Sequence, residues 1–269
     1  MPSSDRHLTA EEVGRILEIV QNTDAIVVGG QSVNLWAEHY AGRNAGFPDN
    51  GPYTSKDVDF FRNARAAEAL ADALGGKLLL PKPDDATPNA AVVIGMLEDR
   101  EIEVDFMTSV LGVDESSITT KYVTLGGVNT VTGNTFRILL LHPLDCLRSR
   151  FANINKLSRE DDLSLRQART AIAIVKHFID DLLVMKLTGE AQRALRDLCY
   201  VVRDGFIRGD VAFRHDIDPL PVLRAFLEDP RLDERWRTRY LAKAVARLEK
   251  MIDRRVKAEA ANVAAPARS

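Results

Sequence analysis

The sequence predicts an α/β (α+β) protein: a mixed sheet with flanking helices, followed by a C-terminal helical bundle. Three observations predict it. The stretches Asp57-Val58-Asp59-Phe60 and Ile102-Glu103-Val104-Asp105-Phe106 alternate polar and apolar residues, the period of half-buried strands. The apolar run Ile26-Val27-Val28 ends in Gly29-Gly30 and passes into a helical pattern. After His142-Pro143 strand texture gives way to long helical periodicities. These place a first domain at 1–141, a helical domain at 142–260 and a disordered tail at 261–269, whose last residues are Ala-rich with a proline.

The elements follow in order. Thr9-Ala-Glu-Glu12 is a capping box, and Val13, Ile16, Leu17 and Val20 repeat at helical spacing behind it, predicting a helix over 10–22. A buried strand over 25–28 and a glycine turn lead to a helix over 32–40. Residues 41–55 are rich in Gly, Pro and Asn and predict a long loop running into the strand of Asp57 and Asp59. Asn63 caps a helix that Gly75-Gly76 stops. A strand over 77–80, a hairpin of 90–97 with 101–107, and strands over 121–126 and 135–141 complete the sheet. Helices are expected over 144–155, 163–187, 190–206, 221–227 and 235–258.

Composition narrows the function classes. The chain has 269 residues, 45% hydrophobic and 28% charged, as in ordinary globular proteins. The net charge of −3 and a pI near 6.0 give no global basic field for nucleic acid. Basic residues do gather between Arg231 and Lys257, at about twice the number of acidic ones. Cys146 and Cys199 have no Cys or His at ligand spacing, so buried thiols are expected rather than a zinc site or a disulfide framework. No apolar stretch is long enough for a membrane span, and the expectation is a cytoplasmic protein.

The chemistry gathers at the acids. Asp57 and Asp59 project from one face of their strand, and Asp105 has the same apolar flanks. If those strands are neighbours, three carboxylates converge. Two such groups about 4 Å apart repel by about 4 kcal/mol at an effective dielectric near 20. A shared proton or a cation must relieve them, and all-oxygen ligands on strands suit Mg²⁺. A glycine turn opening a helix presents free N–H groups and a positive dipole end to phosphate. Gly29-Gly30 and the Ser32 hydroxyl are the candidates for that role. The third glycine of a dinucleotide fingerprint is missing, which disfavours a Rossmann-like oxidoreductase, and so is the Gly-Lys-Ser/Thr of a P-loop.

Val28-Gly29-Gly30-Gln31-Ser32, Lys56-Asp57-Val58-Asp59-Phe60 and Val104-Asp105-Phe106 together resemble the nucleotidyltransferase superfamily of DNA polymerase beta. Within it the chain looks most like the AbiEii-like abortive-infection toxin nucleotidyltransferases, over about residues 24–165. The resemblance implies a nucleotidyltransferase-like first domain moving NMP from an NTP such as ATP to an unidentified acceptor, a tRNA end or a protein hydroxyl. It implies Asp57, Asp59 and Asp105 as ligands of Mg²⁺ or Mn²⁺, with Asp105 alternatively the base. Gly29, Gly30, Ser32, Arg150 and Lys156 would hold the nucleotide. A toxin or phage-defence role with an antitoxin partner, and RNA as acceptor, are further implications. Gly30 and Asp57 stand farther apart than in compact members, which leaves an alternative open: an inactive module of the same fold that binds nucleotide or a partner protein.

Overall fold

The computed structural model describes residues 7–42, 47, 57–82, 84–85, 87–128, 135–207 and 211–264. Two compact units divide between Ile174 and Val175. That point lies well past the change from strand to helix at 141/142, because the first helix after the sheet, α5 (Pro143–Leu157), packs on α2 (Gly29–Ala41) of the first unit.

The first unit is built on a mixed seven-stranded sheet. Its strands are β1 (Ile26–Val28), β2 (Val58–Phe61), β3 (Lys77–Leu79), β4 (Asn89–Leu97), β5 (Arg100–Met107), β6 (Val123–Val128) and β7 (Thr135–Leu140), in the order β3-β4-β5-β2-β1-β7-β6. β2 runs antiparallel to β1 and parallel to β5, with Val58 opposite Val104, Asp59 opposite Asp105 and Phe60 opposite Phe106. Alternation puts Val58, Phe60, Val104 and Phe106 on one face, where all four are fully buried. The two phenylalanine rings stack there at 5.4 Å between centroids.

Local chemistry sets the helices. Thr9 Oγ1 accepts from the Glu12 N–H at 3.1 Å and the Thr9 N–H donates to Glu12 Oε2 at 2.6 Å, closing the capping box of α1 (Ala10–Val20). Asn63 caps α3 (Ala64–Ala73) through the Ala66 N–H and donates to the Thr23 carbonyl at 2.6 Å. The Trp36 indole N–H donates to the Leu141 carbonyl at 3.0 Å, tying α2 to the end of β7. His142 caps α5, its Nδ1 accepting from the Leu144 N–H at 3.2 Å, ahead of a proline at the first helical position.

Several expected elements change. α2 starts at Gly29, so the glycine turn is the first turn of the helix. The strand expected over 121–126 is preceded by a short helix, α4 (Glu115–Lys121), whose cap Asp114 accepts from the Ser116 N–H at 2.9 Å. Of the loop expected over 41–55, Ala41 closes α2, and 43–46 and 48–56 lie outside the described residues.

The second unit is helical. It takes the end of α6 (Asp162–Val184) and holds α7 (Thr188–Ile207), α8 (Val211–His215), α9 (Leu220–Ala225), α10 (Glu234–Trp236), a π-helical segment Arg237–Leu241 and α11 (Ala242–Ala264). α11 overruns the start of the tail expected at 261, and 265–269 lie outside the described residues. Leu195, Leu198, Val202, Leu223, Phe226, Leu241, Val245 and Leu248 are buried among these helices. Among the described residues no helix is long and apolar enough to cross a membrane.

The stacked pair under the acid strands makes the sheet's centre sensitive to volume. Phe106→Ala is expected to lower the unfolding free energy by about 3–5 kcal/mol, read as an earlier midpoint in urea titration.

Candidate functional site

Gly29 follows β1 directly with φ +65°, a left-handed conformation that suits glycine. A Cβ built on Gly29 would lie 2.0 Å from Asp59 Oδ2 and 3.2 Å from the Asp59 Cβ. The carboxylate is therefore packed against the Gly29 Cα, as the antiparallel pairing of Val28 with Asp59 requires. Gly30 is crowded from another side: its Cβ would lie 2.9 Å from Gln167 Nε2.

These groups line a cavity of about 840 Å³ in the first unit. Val28, Gly29 and Gly30 form one edge, and Asp57, Asp59 and Asp105 stand together in its wall with Asn89 and Met107. α5 contributes Ser149, Arg150, Asn153 and Leu157, and the start of α6 contributes Leu163, Ser164 and Gln167. The strands of Asp59 and Asp105 are thus neighbours in register, and all three acids face one space.

The electrostatics follow from that convergence. Burial first, then Asp57 and Asp105, push the Asp59 carboxyl up to about 7, against the pull of Arg150 and Arg159. Burial, Glu103 and Asp57 push Asp105 up to about 6. Asn89 Nδ2 donates to Asp105 Oδ1 at 2.7 Å, which holds the carboxylate in place.

Arg150 is the buried cation of the site. Its Nη1 donates to Gln167 Oε1 at 2.9 Å and its Nη2 lies 3.5 Å from Ser149 Oγ, while its Nε has no hydrogen-bond partner. Burial pushes its pKa down, and Cys146, Asp59 and Asp57 act in the opposite sense. Arg159 reaches the cavity because Ser158 ends α5 at φ +51°, turning the chain. Asp161 also lines the cavity but is engaged in capping α6, accepting from the Ser164 N–H at 3.0 Å and the Ser164 hydroxyl at 2.7 Å.

Two expected residues are not brought here. Ser32 is fully buried with its Oγ 3.5 Å from Cys146 Sγ, because two residues past Gly30 the helix has turned toward α5. Lys156 is exposed and lies off the stripe formed by Arg150, Asn153 and Leu157, and Arg159 takes its place at the cavity. Gln167, Asn89 and Arg159 were not foreseen. The Leu157-Ser158-Arg159 helix end was a usable signal for Arg159, whereas nothing in the sequence marks Gln167 or Asn89.

Among the described residues no three His, Cys, Asp or Glu side chains form a ready cage for a metal ion. The donor set still fits one kind of ion. Mg²⁺ keeps several waters and takes one or two carboxylates plus substrate phosphates. Two adjacent carboxylates held above their ordinary pKa by burial and like charge offer such a partial set.

No protein-family model and no curated protein matches the chain. Among solved structures, that of JHP933 from Helicobacter pylori is similar at 14% identity over 93% of this chain and 95% of that one, with a TM-score of 0.36. A likeness so slight carries no argument about fold or activity. What is defined here is a mixed α/β unit with an acidic cavity at the start of α2.

The raised carboxyls give stability a definite slope with pH. A folded pKa above the unfolded one stabilises the fold fully below the unfolded value, and that stability is lost as pH rises through the folded value. For Asp59 the loss spans about pH 4 to 7. In chelator, Asp59→Asn is expected to melt above the wild type at pH 8, and the margin is expected to shrink toward pH 4. Each kcal/mol gained is worth about 2–4 °C in Tm. Gly29→Ala is expected to melt lower at every pH, since it adds both backbone strain and a clash with Asp59.

Proposed function

We propose that the cavity is the active site of a metal-dependent nucleotidyltransferase of the polymerase-beta kind, closest to the AbiEii-like branch, transferring NMP from an NTP to an acceptor hydroxyl. One observation supports this above the others: the β2–β5 register sets Asp59 beside Asp105 in the wall whose edge is the start of α2. A purely structural sheet has no use for like charges gathered there.

The chain's own groups divide the work. The free N–H groups of Gly29 and Gly30, at the positive end of the α2 dipole, receive a phosphate oxygen. Arg150, with an unused Nε donor, and Arg159 offset the triphosphate's charge and orient it. Asp57 and Asp59 would hold Mg²⁺ or Mn²⁺, with Asp105 beside them. When bound, the ion would polarise the transferring phosphoryl group and offset charge on the leaving pyrophosphate. Asp105, held by Asn89 and raised to about 6, would complete the metal site or take the acceptor hydroxyl's proton. Leu157, Leu163 and Val110 give the cavity an apolar side that limits water.

The test is direct. With each α-labelled NTP, Mg²⁺ and cell extract, label is expected in one macromolecular fraction, and Asp59→Asn or Asp105→Asn is expected to cut it at least about a hundredfold. Mg²⁺ is expected to raise the Tm of the wild type and not that of the Asp57→Asn/Asp59→Asn double variant. Nucleotide binding without any labelled product would favour an inactive binding module instead.

A further inference from the structure

The second unit carries a face that the cavity does not use. On α7, Arg196 lays its guanidinium over the Tyr240 ring, 5.4 Å from the centroid, and Arg203 lies 5.0 Å over Tyr200. Tyr240 stacks on Trp236 with centroids 5.4 Å apart and planes 24° from parallel. Tyr200 and Tyr240 are 47% and 37% exposed, so these rings do not serve a closed core. Arg196, Tyr200 and Arg203 stand at i, i+4 and i+7 along α7, so both stacks belong to one face of that helix.

The patch continues along the next helix. The π-helical segment Arg237–Leu241 runs directly into α11, and Tyr240, Arg247, Met251 and Arg254 recur at the spacing of one helix face. Arg247, Lys250, Met251 and Arg254 line a shallow concavity of about 530 Å³ together with Arg255. Among the described residues none of Arg247, Lys250 and Arg254 has an ion-pair partner. The stripe of Leu241, Val245 and Leu248 is buried against the unit's core. Cations and stacked planar groups are therefore aligned on the outer side of one continuous helix.

We infer that this face binds single-stranded RNA. The unpaired cations follow a phosphate backbone, and each planar stack ends on a ring or guanidinium that an unpaired base extends. An acidic protein would satisfy the cations and leave the aromatic stacks unused. A duplex keeps its bases stacked inside and offers nothing to the rings. RNA is the nucleic acid that presents unstacked bases in loops and ends. This inference stands on the second unit alone and does not depend on the reading of the acidic cavity.

The two tryptophans make the test specific. Trp36 is 1% exposed in the first unit, and Trp236 belongs to the stack. The full chain is titrated with a labelled oligouridylate of about 20 nucleotides across a salt series, following anisotropy and tryptophan emission together. Binding with quenched emission is expected. Arg247→Ala/Lys250→Ala/Arg254→Ala is expected to weaken binding at least about tenfold and to flatten the log–log salt slope by about 2. Trp236→Ala and Tyr240→Ala are expected to weaken it by about five- to a hundredfold with the slope unchanged. Melting curves check that each variant folds. Should a ring variant unfold, Lys250→Glu/Arg254→Glu at exposed positions keeps the test decisive, because it must abolish binding. The inference is overturned if the variants bind like the wild type or if emission does not change on binding. Equal affinity for duplex RNA or polyglutamate, or a preference for the deoxy strand, overturns it too.

Discussion

The carboxylate of Asp59 packed against the α carbon of Gly29 is the constraint on which the first unit's chemistry depends. Antiparallel pairing of β1 with β2 brings Asp59 opposite Val28, one residue before the helix begins. Any side chain at position 29 would collide with that carboxylate, and φ +65° there suits glycine on backbone grounds as well. Parallel pairing with β5 then fixes Asp105 beside Asp59. Three placements, the acid, its neighbour acid and the helix start, therefore follow from one close approach. The α2 dipole offsets part of the charge thus buried, and like-charge repulsion remains.

The cations answer that excess from the other wall. Arg150 is buried with its Nε unmatched, a costly arrangement unless another anion completes it. Gln167 supports Arg150 from α6 and at the same time closes on Gly30, so one side chain couples the two walls. Arg159 arrives through a left-handed residue at the end of α5. A cavity with acids in and beside paired strands, cations on α5 and just past its end, and a glycine-opened helix at its edge suits a phosphate-bearing substrate and a hydrated cation together. That is the physical content of the proposed nucleotidyl transfer.

The second unit uses charge differently. Its basic residues are neither buried nor set against acids at Arg247, Lys250 and Arg254; they lie along one helix face in line with aromatic stacks. Elsewhere in the same unit arginines are consumed structurally: Arg231 pairs with Asp180 at 2.7 Å and Arg224 with Glu249 at 2.9 Å. The contrast separates cations that hold helices together from cations left for a partner.

Much of this was legible from residues alone. The period-two stretches around Asp59 and Asp105 specified strands and faces, because burial of Val58, Phe60, Val104 and Phe106 leaves the acids only the other side. The capping box at Thr9, the cap at Asn63 and the proline after His142 set helix starts through contacts a few residues apart. α4 was missed although Asp114 offered its cap, since a helix so short carries little apolar period. The fates of Ser32 and Lys156 were decided by packing: helix phase against Cys146 turned one inward, and the α5 stripe left the other outside. Gln167 and Asn89 owe their places to strands and helices distant in sequence, which no local pattern encodes. The sequence by itself determined which residues could be acids on strands and which glycines could open a helix, because those choices are local sterics and burial. Only the tertiary structure decided which strands are neighbours, in what register, and which cation faces the acids, because those depend on contacts between segments far apart in the chain.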